Sequence, residues 1–306
     1  MFLEKVIGIL LALLAMSLFN LAPVLQKSAL DRLPTLSFSN VWKSALSLLK
    51  DRRWMLGFAV GCLGLIPYVT ALRLVGIAVV QPLYGFGVIV LISFSRFVLH
   101  ERQRPVAKVA LAMLILMPLF IARGDVSRVQ HDITLRSTQI SLGVLMLTIL
   151  LGSGVLMLFS KRHPTCWAII SGALFGAGAV FAQMAITFLT PDELRNAESL
   201  HALIRNEDLL LNLAAVLIAV PLNIFADYCM QVGLQQKTAS RFMPIAQTVN
   251  NIVAIIGGIT IFGQRVLSWP FYLAGISLGL AGLFVLAQTR VVSHDTRAGN
   301  PSAHRP

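Results

Sequence analysis

The chain alternates long apolar runs with short polar ones. A helix needs about 20 mostly apolar residues to cross a bilayer. Nine runs meet that length: 6–25, 54–75, 77–99, 106–122, 140–159, 166–189, 209–234, 242–262 and 269–289. They are continuous rather than alternating, which excludes a transmembrane barrel and predicts an all-α polytopic membrane protein. Only four charges fall inside these runs: Arg73, Arg96, Lys108 and Asp227. The first three lie near span ends, where long side chains reach the headgroups. The first run is expected to stay as a helix rather than be cleaved as a signal. Its start, Met1-Phe2-Leu3-Glu4-Lys5, is not strongly basic, and Pro23 interrupts the cleavage region.

One stretch, 36–50, follows a different pattern. Phe38, Val41, Trp42, Ala45, Leu46 and Leu49 share one helical face, and Ser39, Asn40, Lys43, Ser47 and Lys50 the other. This predicts an amphipathic helix, too short and polar to span the membrane, that lies on its surface or, less favoured, serves as a mobile gate. Residues 192–208 read as a short outer helix, and 293–306 as a disordered cytoplasmic tail.

Composition narrows the function classes. The 306 residues are 57% apolar and 12% charged, with a mean hydropathy of +0.79. An ordinary globular domain carries roughly 25% charged residues. A soluble enzyme, a disordered chain and a disulfide framework are therefore excluded. Cys62, Cys166 and Cys229 sit in apolar stretches and read as reduced packing residues. No paired carboxylates, nucleophile–histidine–acid set, metal-ligand cluster or phosphate-cradling loop appears. No enzyme, cofactor or metal centre is expected.

The net charge of +12 divides by side. With nine spans, the segments 26–53, 96–108, 160–165, 235–241 and the C-terminus share one side and hold 17 of the 25 Lys and Arg residues. Positive charge marks the cytoplasm. The N-terminus is then outside and the C-terminus cytoplasmic, in a plasma or inner membrane. The basic excess becomes a rim facing anionic lipid rather than a nucleic-acid surface. The expected partners are the bilayer and a small-molecule or ion substrate, and a homodimer is compatible with the sequence.

A constant offset of 162 residues maps the second half onto the first. Ala71-Leu72 falls on Gly233-Leu234, Pro82 on Pro244 and Phe19 on Phe181; after a one-residue insertion, Glu101-Arg102 falls on Gln264-Arg265. Spans one to four register with spans six to nine, and the fifth is left as a connector. An odd connector turns the second repeat upside down. The predicted fold is two inverted four-helix repeats, at 1–125 and 163–292, joined by a connector helix at 126–162. Secondary transporters commonly use this symmetry, with the substrate site at the midplane between repeats.

The residues that carry a family likeness are Tyr68-Val69-Thr70-Ala71-Leu72, Val79-Val80-Gln81-Pro82-Leu83 and Val98-Leu99-His100-Glu101-Arg102. They resemble the drug/metabolite transporter superfamily (EamA-like): an alanine-leucine step, a proline-leucine opening the next helix, and a glutamate-arginine closing it. Nine spans, an outside N-terminus, Trp54-Met55-Leu56-Gly57 and Gln26-Lys27-Ser28-Ala29-Leu30 are similar to the NIPA-type magnesium transporters. That branch has a glycine-glutamate pair and then an asparagine in its second span. Here the stretch reads Gly64-Leu65-Ile66-Pro67. The acid is missing, so magnesium transport is not carried over. Leu65 maps by the repeat onto Asp227, which places an acid in the other half instead.

Asp227 is the leading candidate for chemistry. An aspartate inside a span costs at least about 2.5–3.5 kcal/mol on insertion scales, so it should face the bundle interior. There it can exchange a proton or hold a cation, or it can only fix packing by pairing with Arg73, Arg241 or hydroxyls. Asn223 lies one turn before it, and Pro221 is placed to open the helix. Asn20, Gln81, Gln183, Gln247, Asn250 and Asn251 recur inside other spans, where each either lines a pathway or bonds between helices. Tyr68, Tyr84, Phe86 and Phe181 can wall a substrate or simply pack. Gly57 with Gly61, Gly172 with Gly176, and Gly275 with Gly279 are spaced for close helix approach.

Three readings follow. The first is a drug/metabolite-type secondary transporter working by alternating access, proton-coupled through Asp227, with Asn223, Asn20, Gln183, Gln81 and Tyr84 along the pathway. The second is a transporter of magnesium or another divalent cation. It is weakened by having one intramembrane acid, since hard cations prefer several oxygen ligands. The third is a non-transporting membrane subunit or lipid-handling scaffold.

Overall fold

The computed structural model describes residues 2–36, 40–98, 106–124, 126, 136–160, 163–188, 207–237 and 239–288. Glu101-Arg102, most of the expected outer helix at 192–208 and the tail at 293–306 lie outside them. Apolar runs become helices because only a helix satisfies every backbone N–H and C=O within one segment. In order these are α1 (Phe2–Leu30), α2 (Val41–Lys50), α3 (Arg52–Val75), α4 (Ile77–Val80), α5 (Tyr84–Val98), α6 (Val106–Arg123), α7 (Arg136–Phe159), α8 (Thr165–Phe188), α9 (Glu207–Gln236), α10 (Ala239–Thr260) and α11 (Trp269–Gln288). Among the described residues the one β pairing is an isolated antiparallel bridge between Val126 and Val266.

Among the described residues, six helices are long and apolar enough to cross a membrane: within α1, α3, α7, α8, α9 and α10. The other three expected spans fall on α4 with α5, on α6, and on α11, whose apolar part runs Trp269–Val285. The expected span 77–99 is broken. Gln81 to Leu83 form a turn in which Tyr84 N–H bonds Gln81 C=O at 2.9 Å and Phe86 N–H bonds Leu83 C=O at 3.0 Å. Pro82 has no N–H to continue the ladder, which accounts for the break. Pro221 does not act this way, since α9 runs unbroken through it.

α1 ends at Leu30, five residues past the expected span end at Leu25. Gln26 and Lys27, expected in a loop, are therefore buried in its last turns. Lys27 bonds Asp31 at 2.5 Å rather than serving as free rim charge. Asp51 caps α3 by accepting from the N–H groups of Arg53 and Trp54, each at 2.9 Å.

α2 forms over Val41–Lys50, within the stretch expected to be an amphipathic helix. It rests on the protein through Ser44 and Leu48, while Val41, Trp42, Leu46 and Leu49 stay exposed, Trp42 at 82%. The apolar face is left for lipid.

The two halves pack alike. α1 packs most extensively on α3 and then on α5; α8 packs most extensively on α9 and then on α10. Glycines set these approaches. A Cβ on Gly57 would press on the Ala22 carbonyl at 2.9 Å, and one on Gly176 would lie 2.7 Å from Val253. Between halves, α6 packs on α11, α5 on α10, α1 on α9 and α3 on α8. α7 touches mainly α8 and is largely exposed.

Polar contacts gather at two opposite ends. At one end, Gln235 accepts from Leu36 N–H at 2.8 Å and donates to Pro34 C=O at 3.1 Å, and Lys237 donates to Thr165. At the other, Ser268 N–H bonds Gly124 C=O at 2.9 Å beside the Val126–Val266 bridge.

Candidate functional site

The interior between the halves is lined by amides. Asn20 of α1 is fully buried. Its Nδ2 donates to Met16 C=O at 2.8 Å, and its Oδ1 accepts from Gln247 Nε2 of α10. Gly87 of α5 leaves the room: a Cβ there would overlap the Asn20 amide. Gln81, at the break between α4 and α5, donates from Nε2 to the Tyr68 hydroxyl at 2.7 Å. Tyr68 meets Phe19 edge-on at 5.5 Å, and Phe19 stacks on Tyr84 at 6.0 Å.

Four buried amide oxygens here have no hydrogen-bond partner among the described residues: Gln81 Oε1, Gln247 Oε1, Asn250 Oδ1 and Asn251 Oδ1. An unpaired buried polar atom costs about 1–3 kcal/mol. Asn251 also lines a small cavity with Pro82, Met117, Ile255, Ile276, Gly279 and Leu280. It has room for about one water molecule.

Asp227 belongs to a second group, on α9 facing α1. Gln231 Nε2 donates to Gln26 Oε1 at 2.9 Å and lies 3.3 and 3.4 Å from the two carboxylate oxygens of Asp227. Gln231 sits one turn after Asp227, so the helix itself brings the pair together. Asn223, one turn before, donates to Ala219 C=O at 2.8 Å and packs against Gly178 of α8. Gln183 is buried on α8.

Asn20, Gln81 and Tyr84 are therefore brought together around α1, α5 and α10, joined by Gln247, Asn251, Tyr68 and Phe19. Asp227 and Asn223 share a face of α9 and bond within a different group.

Sequence reasoning missed Gln231 as the partner of the acid, and Gln26 as the partner of Gln231. The i,i+4 spacing of Asp227 and Gln231 was the available signal. It also missed a clamp on the broken span. Ala78 N–H donates to Gln264 Oε1 at 2.8 Å, and Ala78 C=O accepts from the Tyr272 hydroxyl at 2.7 Å. Gly76, with φ of 77°, turns the chain into this clamp, and a Cβ there would overlap the Gln264 side chain.

No family model and no solved structure matches the chain. Over 194 residues it is 26% identical to the probable magnesium transporter NIPA9 of Arabidopsis thaliana, which covers 60% of this chain and 56% of the relative. The chain thus spans little more than half the length of that curated relative. It is an integral membrane protein, almost entirely helical among the described residues, with a stretch similar to a transporter.

Proposed function

We propose that this chain is a secondary transporter of the drug/metabolite type, moving a small solute by alternating access between two inverted four-helix halves. The observation that carries this reading is the bond between Asn20 of α1 and Gln247 of α10. It joins the two halves inside a layer of buried amides, some with spare acceptor atoms. A membrane interior that only had to pack would not need them. The matched packing of α1 on α3 and α5, and of α8 on α9 and α10, supports the repeat. So does the reciprocal packing of α1 on α9 and α3 on α8. In this reading α4 with α5, α6 and α11 complete nine spans, with the N-terminus outside a plasma or inner membrane and the C-terminus cytoplasmic. Asp227 supplies coupling as a proton-exchanging acid next to Gln231 and Gln26.

The magnesium reading has one specific support, the stretch similar to the probable magnesium transporter. The chemistry around the site supports it less. Leu65 stands where that branch carries an acid, and among the described residues no group of three or more His, Cys, Asp or Glu side chains gathers. Hard divalent cations prefer several charged oxygens.

The test is uptake into proteoliposomes across a solute panel that includes magnesium. The transporter reading expects saturable uptake that Gln247→Leu abolishes while the fold is kept. Absence of uptake for every solute, with a stable partner that alone carries activity, points instead to a non-transporting subunit. Magnesium uptake that ignores the pH gradient favours the cation reading.

A further inference from the structure

Three polar side chains of α9 fall on one stripe. Asp227, Gln231 and Gln235 are spaced four residues apart, about one turn each. Both glutamines reach α1 or the segment that follows it. Gln231 Nε2 donates to Gln26 Oε1 at 2.9 Å. Gln235 Oε1 accepts from Leu36 N–H at 2.8 Å, and its Nε2 donates to Pro34 C=O at 3.1 Å. The last turns of α9 thus hold the end of α1 and the strap at 31–36.

The acid sets the orientation of the Gln231 amide. An ionised carboxylate can only accept. The Gln231 atom 3.3 and 3.4 Å from the two Asp227 oxygens must then be its nitrogen. That same nitrogen reaches Gln26, so Gln26 must offer its oxygen. Nothing on the other side of the amide competes. Gln231 is fully buried, and its Oε1 has no hydrogen-bond partner among the described residues.

A proton on Asp227 reverses this preference. The neutral carboxyl gains an O–H donor and loses the charge that strengthens its bond from Gln231. Its O–H is received by Gln231 Oε1 once the amide turns over. The turned amide presents that oxygen to Gln26 Oε1, and two acceptors do not bond.

Few other charges stand near. α9 packs on α8, α1 and α10. α8 carries no charged residue, and α10 carries only Arg241, at its start. α1 carries Glu4 and Lys5 at its far end, and Lys27, which bonds Asp31 at 2.5 Å. α9 itself adds Glu207 and Asp208 at its start, with Tyr228 and Cys229 beside the acid; Cys229 feels its charge.

We propose that a proton taken up by Asp227 releases the Gln231–Gln26 bond and so opens the end of the molecule where α9 holds α1. A ligand shifts an equilibrium only by binding one state better than the other. Here the proton binds better where Gln231 has let go of Gln26, because the amide oxygen can then receive it. This deepens the transporter reading, and rests on it for the claim that the opening admits solute.

Spin labels at Arg32→Cys and Gln236→Cys, two exposed positions on either side of the latch, test it. The full chain is placed in lipid nanodiscs, with Cys62, Cys166 and Cys229 replaced by serine. Acidification should move the distance distribution from a short to a longer population. Asp227→Asn removes the charge at every pH, so the longer population should dominate and ignore pH. Gln26→Leu removes the acceptor but keeps the acid. It should give the same result, and it keeps the test valid if Asp227→Asn does not fold. Three outcomes overturn the proposal: a distance that ignores pH in the otherwise native chain, one that shortens on acidification, or a pH response that survives in either variant. Unchanged distances would mean that both amides turn together and the bond persists. The distance is read without flux, so the two claims fail separately. A latch that responds to pH with no uptake of any solute leaves the latch and removes the transporter. Uptake driven by a pH gradient without a distance response removes the latch and leaves the transporter.

Discussion

The hydroxyl of Tyr272 donates to the carbonyl of Ala78 at 2.7 Å. In an unbroken helix that carbonyl would accept from the N–H of residue 82, but residue 82 is proline. Tyr272 of the second half therefore completes a bond that the first half's own sequence forbids. Gln264, from the same half as Tyr272, takes the Ala78 N–H, one of the orphan donors at the start of α4. Both backbone groups of one residue are held by the opposite half, at one end of the molecule.

Tyr272→Phe keeps the ring and leaves the Ala78 carbonyl buried and unpaired. A cost of about 1–3 kcal/mol is expected, read as a lower unfolding midpoint in detergent. Gln264→Ala should cost a similar amount, and the double variant less than the sum, because both bonds hold the same residue. Additive losses would mean the two bonds act independently.

Gly76→Ala tests the turn that leads into this clamp. The backbone there, φ 77° and ψ 168°, is a region only glycine enters readily. The strain is about 1–3 kcal/mol, and the added methyl also displaces the Gln264 amide. The variant should lose stability even when Gln264 has already been replaced by alanine. Recovery of full stability in that double variant would show that the overlap, not the backbone, was the cause.

Asp227→Asn keeps the shape of the acid and a hydrogen-bonding group for Gln231. If Asp227 couples a proton to transport, solute uptake in proteoliposomes should lose its dependence on a pH gradient while uptake down the solute's own gradient persists. An unchanged response to the pH gradient removes Asp227 from coupling and leaves it a packing role with Gln231 and Gln26.

Trp42 is 82% exposed on the apolar face that α2 turns away from the protein. Lipids brominated near the headgroup should quench its fluorescence more than lipids brominated near the chain ends, measured in a variant whose other three tryptophans, Trp54, Trp167 and Trp269, are phenylalanine. Equal quenching at both depths would place α2 off the interface.

Much of this architecture is legible from apolar run length, because a helix in lipid has no other way to satisfy its backbone. The glycine pairs are legible too, since close approach needs small residues at one-turn spacing; Gly57 indeed faces Ala22, and Gly172 faces Ala246. Helix ends are less legible. Gln26 and Lys27 look like loop residues by polarity, yet Gln231 and Asp31 give them partners that let α1 continue. Tertiary pairing is the least legible. The bonds of Asn20 to Gln247 and of Tyr272 to Ala78 join residues about 200 positions apart, and no local pattern encodes them. The face of α2 that meets α3 was also hidden, because Ser44 is small rather than apolar.

Alternating access requires the two ends of the molecule to open in opposition. Paired spin labels on a background with Cys62, Cys166 and Cys229 replaced by serine measure this directly. Ile7 with Leu267 reports the end clamped by Tyr272 and Gln264, and Leu49 with Gln236 reports the end where Gln235 meets Leu36 and Pro34. Breaking the clamp with Tyr272→Phe and Gln264→Ala together should lengthen the Ile7–Leu267 distance and shorten the Leu49–Gln236 distance. Two distances that stay unchanged, or that lengthen together, would contradict a transporter built from two rocking halves.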